Sequence, residues 1–465
     1  MIALYLTIIF PLIGALLMCG IGNRRVISSR CNVLTATASF ISSIFVAYHF
    51  LQHGAFLVAG GQFYIDSLNV LIILLAAFTT MTTAVFFNAF MWHKKTIKDM
   101  RLYNVLYQFF AFMTLLAVSA NNIGILWVAV EGATLSAVLL VDLFHTRASI
   151  EASWKYFVLG IVGIALALFG TILVCFADAQ HNNGMLWSIL VSRANGFDPL
   201  VIKIAFVFLF VGYGTKIGLV PFHNWLPDSH SQNPVSAILS GLLLNIALYV
   251  LIRFKTITNL ALGNHLADHL LMTFGLLSFI VAAIMMQRQD NVKRLLGYSS
   301  IEHMGLITFT FGLGTSSAAF IGLFYMAMHA LAKSAIFMIV GNISRKCCGL
   351  IKSQPQLGWS LLIATLVIAG VPPFGIFTSE SMIFINCVKQ SPLLAVVLVF
   401  GFVMVMSGLL RTVHPIVYGE PTPVIEAKVC LWPALLHLVL VLVLGVYIPS
   451  VLQQLLHGAA RIITG

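Results

Sequence analysis

Charged residues are scarce in this chain of 465 residues. Only 8% of the residues are charged, whereas 60% are hydrophobic. Globular domains carry about 25% charged residues, so this composition excludes an ordinary water-soluble domain. The sequence also lacks any stretch with the composition of a flexible linker. We therefore expect a single membrane domain over residues 1–465.

Cysteines in metal-binding spacing are also missing. The chain has seven cysteines and no CxxC pair, and the neighbours Cys347 and Cys348 suit neither a zinc site nor an iron–sulfur cluster. The sequence predicts that this chain holds no metal and no cofactor of its own.

The first apolar run, residues 2–19, has no basic segment before it. It is therefore interpreted as a first membrane span and not as a cleaved signal peptide. Apolar runs of spanning length recur to the end of the chain, about fourteen in all. The predicted fold is an all-α polytopic membrane protein with about 14 transmembrane helices.

The net charge of +11 is interpreted as a sign of membrane topology, because of where the basic residues lie. When the loops are numbered alternately, most of the basic residues fall on one side, which the positive-inside rule assigns to the cytoplasm. The prediction is an inner (cytoplasmic) membrane protein with both termini outside and no nucleic-acid partner. The basic residues assigned to the cytoplasmic side are Arg24, Arg25, Arg30, Lys94, Lys95, Lys98, Arg101, Arg147, Lys155, Arg288, Lys293, Arg294, Arg345, Lys346, Lys352, Arg411 and Lys428; Arg193, Arg253, Lys255, Lys389 and Arg461 are assigned to the opposite loops, and Lys203 is expected to snorkel.

One membrane segment is interrupted around a lysine. Gly212, Gly214, Gly218 and Pro221 surround Lys216 at the end of the seventh predicted span, 200–222. Glycine and proline weaken a helix, and a broken helix at membrane depth is tolerated only inside protein or beside a wet cavity. A lysine at that depth usually marks an ion or proton path. The alternative is that Lys216 snorkels to the membrane surface, although more apolar chain follows it.

A second interruption lies in the twelfth predicted span, 359–388. Pro372 and Pro373, flanked by Gly370 and Gly375, must break the helix shortly before Glu380. Two broken helices five spans apart run in opposite directions, which is the pattern of inverted repeats in transporters. We expect two inverted five-helix repeats, 102–253 and 268–418, each with a broken helix.

Further ionisable residues lie within apolar spans. Glu131 is in the middle of the fifth span, where a carboxylate must be protonated or paired, and Lys216 is its expected partner. The alternative is a static, neutral Glu131. His329 and Lys333 share one helix face, and His303 lies in the preceding span beside Glu302. A lone membrane histidine more often serves packing, but histidine also suits a proton shuttle.

The interrupted segment around Lys216 also carries a long motif. It resembles the TK-x-G-x-x-P-x-H-x-W-L-P-D-x-H signature of the antiporter-like subunits of respiratory complex I, membrane-bound hydrogenases and Mrp-type antiporters. The residues that carry the resemblance are Lys216, Pro221, Phe222, His223, Trp225, Leu226, Pro227, Asp228 and His230.

This resemblance implies a row of proton-translocation residues across the bundle. In the family, the span-five glutamate and the span-seven lysine form a pair, and later histidines and a lysine make a central axis that ends at a charged exit residue. By this resemblance the candidate residues are Glu131, Lys216, His223, Asn245, His303, His329, Lys333 and Glu380. Asn245 departs from the pattern, because complex I subunits usually have lysine or histidine there and an amide cannot carry a proton as a charge.

Three shorter segments narrow the resemblance. SSIEHMG, EASWKY and GLLLN are similar to component F of the hydrogenase-4 and formate hydrogenlyase group. This implies a proton-translocating, non-catalytic subunit of a [NiFe]-hydrogenase-type redox complex, with Ni–Fe and iron–sulfur centres in soluble partner subunits. The alternatives are an Mrp-type cation/proton antiporter subunit, a proton-conducting subunit of an inorganic-carbon uptake complex, and a structural anchor with vestigial charges.

Overall fold

The structure is a computed structural model that describes residues 1–21, 24–94, 97–178, 185–232, 236–263, 265–343, 347–421 and 430–464. Side chains are not described at residues 21, 90–94 and 97–99. Six of the basic residues used for the topology prediction fall outside the described side chains: Lys94, Lys95, Lys98, Arg345, Lys346 and Lys428.

The described chain is almost entirely helical, apart from one short antiparallel hairpin, β1 (Phe56–Val58) with β2 (Phe63–Ile65), in which Phe56 pairs with Ile65. The helices are α1 (Ile2–Ile21), α2 (Arg25–His53), α3 (Ser67–Lys94), α4 (Ile97–Ser119), α5 (Ile123–Val141), α6 (Arg147–Ala177), α7 (Trp187–Arg193), α8 (Pro199–Ile217), α9 (Trp225–Gln232), α10 (Ser236–Ile238), α11 (Leu244–Leu262), α12 (Leu266–Met286), α13 (Val292–Gly312), α14 (Ser316–Gly341), α15 (Leu350–Ser353), α16 (Pro355–Ile368), α17 (Gly375–Gln390), α18 (Pro392–Tyr418), α19 (Trp432–Val446) and α20 (Ser450–Thr464).

Among the described residues, 11 helical stretches are long and apolar enough to cross a membrane. The number is 12 if α19 and α20, which are bent by 80° relative to each other, count as one span. The predicted all-α polytopic membrane fold is confirmed. The count of fourteen spans and the inverted repeats stay predictions.

The core of the bundle lies along α14 and along α10 and α11. In both stretches, every residue of the most apolar window is buried inside the protein. Helix α14 contacts α3, α13, α16, α17, α19 and α20. Polar side chains on α14 are therefore screened from lipid on all sides, which is where ionisable residues of membrane helices are normally found.

Two breaks interrupt the bundle where the sequence places glycine and proline. Helix α8 ends at Ile217, and a turn over residues 218–224 precedes α9. Helix α16 ends at Ile368, and residues 369–374 separate it from α17. Each break contains one cis peptide bond before a proline, at Pro221 and at Pro373.

The loop positions expected for Arg253 and Lys255 are wrong. Helix α11 continues to Leu262, and both side chains are buried within it. Arg253 forms a bidentate pair with Asp66, with N–O distances of 2.6 and 2.9 Å. Lys255 lies 2.8 Å from Asp268. A buried charge persists only with such a partner, so each basic residue stays inside because a carboxylate from another element meets it.

Helix α9 contacts helices of both halves of the bundle, meaning the predicted repeats 102–253 and 268–418. It contacts α5 and α6 on one side and α13 on the other. Its Asp228 lies 3.1 Å from Lys155 on α6 and 3.5 Å from Arg294 on α13. These surface pairs contribute little stability on their own. Their position shows that the break after α8 directs the chain between the two halves.

Candidate functional site

Lys216 lies in the last turn of α8 because the chain stops being helical directly after it. Gly218 has φ +83°, a conformation that favours glycine, and caps the helix. The carbonyl of Thr215, freed at this helix end, accepts a 2.9 Å hydrogen bond from the indole of Trp225. The ammonium group thus sits at the negative end of the helix dipole, which favours a cation.

Small residues bring α8 close to α6 and so aim Lys216 at α5. A Cβ atom on Gly163 would lie 2.9 Å from Thr215 Cβ, and one on Gly212 would lie 2.5 Å from the Gly163 carbonyl oxygen. Such contact leaves no room for larger side chains. Further along α6, a Cβ atom on Gly160 would lie 3.3 Å from the Lys216 ammonium.

The structure places Glu131 beside Lys216. The Lys216 ammonium lies 3.2 Å from a Glu131 carboxylate oxygen and donates a 2.9 Å hydrogen bond to the Thr134 hydroxyl. The Lys216 side chain is 1% exposed and that of Glu131 is 16% exposed, so Lys216 does not snorkel. Thr134 is three residues after Glu131, and this spacing puts the two on one face of α5.

A second group of ionisable side chains lies in the core around α14. Lys333 donates a 2.7 Å hydrogen bond to the Ser299 hydroxyl and a 3.4 Å one to the Leu296 carbonyl, both on α13. The rings of His303 and His329 lie 5.5 Å apart. Lys333, His303 and His329 are all fully buried. The structure therefore brings together the three central residues that the sequence singled out.

Tyr325 connects His303 to Glu380. The tyrosine hydroxyl donates a 2.9 Å hydrogen bond to Glu380 Oε1 and lies 2.7 Å from His303 Nδ1. With the tyrosine proton directed at Glu380, the His303 tautomer that carries a hydrogen on Nδ1 can donate to the tyrosine oxygen. The sequence analysis missed Tyr325. The signal was its spacing, because residues 325, 329 and 333 follow one face of α14.

Glu380 reaches the core from the second break. It lies in the second turn of α17, with 9% of its surface exposed. Gly370, within the break, has φ +65°, and a Cβ atom there would lie 2.0 Å from Glu380 Oε2. The break therefore provides both the turn and the space that the carboxylate occupies.

His230 and Asn245 lie between the two groups. His230 is on α9 and is buried against Phe337, with ring centres 5.0 Å apart, and it is within electrostatic range of Lys333. Asn245 donates to the Gly241 carbonyl at 2.8 Å and to the Met326 carbonyl at 3.3 Å. Gly241 is in a π-helical turn, 239–243, which shifts the regular bonding pattern and makes its carbonyl available.

His223 has a different setting. It lies in the turn after α8, half-buried, with its ring 6.5 Å from that of Tyr298. Its Nδ1 atom is buried and has no hydrogen-bond partner among the residues that the structure describes. The structure places it beside α13 and gives it no hydrogen bond to the Lys216 pair.

Several polar atoms in this row have no protein partner within the described part of the chain. They include both ring nitrogens of His230 and of His329, His303 Nε2 and Asn245 Oδ1. Buried polar atoms are nearly always hydrogen-bonded, and unpaired ones mark functional sites or positions for water. The row from Glu131 to Glu380 thus contains titratable side chains together with polar atoms that have no hydrogen-bond partner among the described residues.

Comparison with known proteins gives the family. Residues 120–406 match the family described as "NADH:quinone oxidoreductase/Mrp antiporter, TM", which covers more than half of the chain. The chain belongs to the NADH:quinone oxidoreductase/Mrp antiporter family. This confirms the predicted resemblance to antiporter-like subunits.

Members of this antiporter family resemble the chain over most of its length. The hydrogenase-4 component F homolog of Methylacidiphilum infernorum is 43% identical over 95% of this chain and 96% of that protein. NADH-quinone oxidoreductase subunit N of Ruthia magnifica is 28% identical over 74% of this chain and 73% of that protein.

Solved structures of antiporter-family subunits share the fold. A chain of the archaeal membrane-bound sulfane sulfur reductase superposes with a TM-score of 0.89 at 24% identity, covering 99% of this chain and 97% of that one. A chain of the Mrp complex from Dietzia sp. superposes with a TM-score of 0.87 at 18% identity over the full length of both. Both neighbours are subunits of multi-subunit membrane complexes.

From the close approach of Gly370 to Glu380 we predict the effect of a side chain at residue 370. In Gly370→Ala, the new methyl group displaces the flexible carboxylate, so the Tyr325–Glu380 hydrogen bond is lost. Positive φ costs alanine about 1–2 kcal/mol, and the melting temperature falls accordingly. A structure of the variant, together with a thermal melt in detergent, checks both statements.

Gly263→Ala is the matched control. Gly263 also has positive φ, +55°, but a Cβ atom there meets nothing within 4 Å. The melting temperature of Gly263→Ala should fall by a similar amount, with the Tyr325–Glu380 hydrogen bond intact. A Gly370→Ala structure that retains this bond contradicts the prediction.

Proposed function

We propose that this chain moves protons across the membrane as a subunit of a multi-subunit redox complex of the [NiFe]-hydrogenase type. One observation carries the proposal: a buried Lys216–Glu131 pair stands at one end of a row of buried titratable groups. The type of complex is supported by the 43% identity with a hydrogenase-4 component F homolog.

The Lys216–Glu131 pair is the switch in this proposal. Two unit charges 4 Å apart attract each other by about 4 kcal/mol at an effective dielectric constant near 20. A change of about 1.4 kcal/mol alters a protonation equilibrium tenfold. Movement of Glu131 away from Lys216, driven by an electrostatic or conformational change in a neighbouring subunit, therefore suffices to release the Lys216 proton. The chain provides the switch and its partners provide the energy.

The released proton must cross from the first half of the bundle to the second. His230 stands on the element that joins the halves, and both of its ring nitrogens lack a hydrogen-bond partner among the described residues. Asn245 cannot carry the proton as a charge, but its buried Oδ1 is free to accept a hydrogen bond. We infer a path in which water, oriented by Asn245 and His230, links Lys216 to Lys333 and His329.

The last steps follow the hydrogen bonds around Tyr325. A proton binds His303 Nε2, the hydrogen on Nδ1 passes to the tyrosine oxygen, and the tyrosine hydrogen passes to the Glu380 carboxylate. His303 stays neutral, Tyr325 stays protonated, and Glu380 becomes a carboxylic acid. Release from Glu380 to water, followed by return of the imidazole to its first tautomer, completes the cycle.

The setting of the chain follows from the same proposal. Electrons move in partner subunits that hold the Ni–Fe and iron–sulfur centres, and this chain has no cofactor and no catalytic residue. It lies in the inner membrane with both termini outside the cytoplasm. The repeats 102–253 and 268–418 each contribute one broken helix, at α8 and at α16–α17.

Removing the Lys216 ammonium tests the proton path. In Lys216→Met, proton uptake into vesicles that contain the purified complex should fall by about 100-fold or more, because the switch can no longer hold a proton. Glu131→Gln should have the same effect. Lys203→Met is the control, since Lys203 is on the same helix with an exposed side chain. If Lys216→Met pumps at the wild-type rate, proton translocation through this pair is wrong.

Tyr325→Phe tests the connection to Glu380. The variant loses a hydroxyl that bonds both His303 and Glu380, so proton uptake should fall by about 10-fold, with water replacing the hydroxyl in part. Tyr103→Phe is a suitable control, because Tyr103 is a buried tyrosine of α4 whose hydroxyl has no partner among the described residues. Equal loss in both variants would point to packing and contradict the role of Tyr325.

The composition of the complex tests the hydrogenase assignment. Tagged protein purified in mild detergent should bring down soluble redox subunits, and the preparation should contain nickel and iron. Mass spectrometry and a metal assay check this. Copurification with membrane antiporter subunits alone, without metal, would overturn the redox assignment and favour an Mrp-type exchanger, whose fold this chain shares.

A further inference from the structure

Glu302 has no role in the path described so far. It lies in the middle of α13 beside His303, and its side chain is fully buried. Neither of its carboxylate oxygens has a hydrogen-bond partner among the described residues. A buried carboxylate without donors is one of the most costly arrangements in a protein interior, so its presence requires an explanation.

Glu302 shares a small space with Glu380 and His303. One carboxylate oxygen of each glutamate and one ring nitrogen of His303 all lie within 4.8 Å of one another. Glu302 Oε2 is 3.6 Å from His303 Nδ1. Helix α14 contributes Tyr325 and Lys333 to the same surroundings.

The other charged groups near α13 lie at its two ends. Asp228 of α9 meets Arg294 near the start of α13, where Arg411 of α18 also donates to the carbonyl of Gln287. Asp268 of α12 pairs with Lys255 of α11 beside Gly314, just beyond the other end. His230 of α9 and His329 of α14 lie within electrostatic range of Lys333 or of each other. His223, in the turn after α8, lies beside Tyr298 of α13.

The carboxylates of Glu302 and Glu380 differ in the hydrogen bonds that they accept. Glu380 accepts a hydrogen bond from Tyr325, which stabilises a negative charge on its carboxylate. Glu302 receives none from the described residues. Two buried carboxylates this close are not both ionised, because their repulsion adds to the cost of burial. A single proton shared by the pair is therefore favoured on Glu302.

We propose that Glu302 and Glu380 form one coupled proton-binding site at the end of the row. At rest the pair holds one proton, on Glu302. A second proton arrives from Tyr325 and forms an O–H bond with Glu380, which gives two neutral carboxylic acids. Breakage of the Glu380 O–H bond to water releases that proton and restores the first state.

This coupling has a function within the proposed proton path, on which the inference rests. Because Glu302 keeps its proton throughout, Glu380 never ionises beside a second negative charge. Glu302 thus acts through Glu380 as a positioning residue for the proton. Two groups that interact this strongly titrate as a pair, in two steps that belong to neither residue alone.

Infrared spectroscopy of the purified complex tests the coupling without any transport. The carbonyl band of protonated carboxyl groups, followed against pH, should show two steps for the pair, separated by at least about one pH unit. Glu302→Gln is nearly isosteric with protonated Glu302 and should leave one step, near the lower of the two. Glu380→Gln should also leave one step, which keeps the test valid if either variant assembles poorly. Thr308→Val, a change at a buried hydroxyl of α13 that bonds its own helix, should retain both steps.

Proton uptake by the same variants separates the two proposals. In Glu302→Gln the side chain at this position is neutral at every pH, so the pH profile of uptake should lose the change that occurs at the upper infrared step, and Glu302→Asp should restore it. If wild-type protein pumps but Glu302→Gln leaves both the infrared steps and the pH profile unchanged, the coupled site is wrong and proton translocation stands. If wild-type protein takes up no protons, the proposed function fails, and the infrared steps still decide whether the two carboxylates are coupled.

Discussion

The free-energy cost of a charge at membrane depth governs how this chain is built. A buried ion persists only when a partner and enough hydrogen bonds replace its water. Arg253 meets this condition fully, since it has a bidentate carboxylate, a 3.0 Å bond to the Tyr249 hydroxyl and a stacked Trp187 ring 4.3 Å away. Among the described residues, Lys216 contacts one carboxylate and one hydroxyl. The contacts of Arg253 fix α11 to the segment directly before α3, whereas a modest movement can break the contacts of Lys216.

The two broken helices follow from the same constraint. At the end of a helix, some backbone groups have no hydrogen-bond partner within the helix. A lysine or glutamate there faces these groups, and they help to define the space around the charge. Gly218 ends α8 two residues after the lysine, and Gly370 leaves the volume that the Glu380 carboxylate fills. The breaks are thus the means by which an apolar bundle accommodates ionisable side chains at chosen places.

Much of this arrangement could be predicted from the sequence, because glycine and proline mark the breaks and ionisable residues are conspicuous in apolar helices. The resemblance supplied Glu131 and Glu380 as members of one row. Arg253 and Lys255 were misplaced, since a rule that assigns basic residues to loops cannot see carboxylates arriving from distant helices. Tyr325 was missed, because a tyrosine in a membrane helix is ordinary until its hydroxyl is placed between two partners. The π-helical turn before Asn245 depends on packing against α14 and has no clear signal in local sequence.

The burial of the row indicates how protons would enter and leave it. Lys333, His329 and His303 are completely enclosed, whereas Glu131 retains 16% side-chain exposure at one end and Glu380 retains 9% at the other. Because α14 carries Tyr325, His329 and Lys333 along one face and is enclosed by helices on every side, water has no wide route to the middle. In the proposed path, protons are therefore exchanged with the surroundings through the two carboxylates. Such a row, with exposed ends and an enclosed centre, permits net transport only if its end groups change their proton affinity in turn. In the proposed path, the separable Lys216–Glu131 ion pair at one end and the hydrogen-bonded Glu380 carboxylate at the other provide these changes.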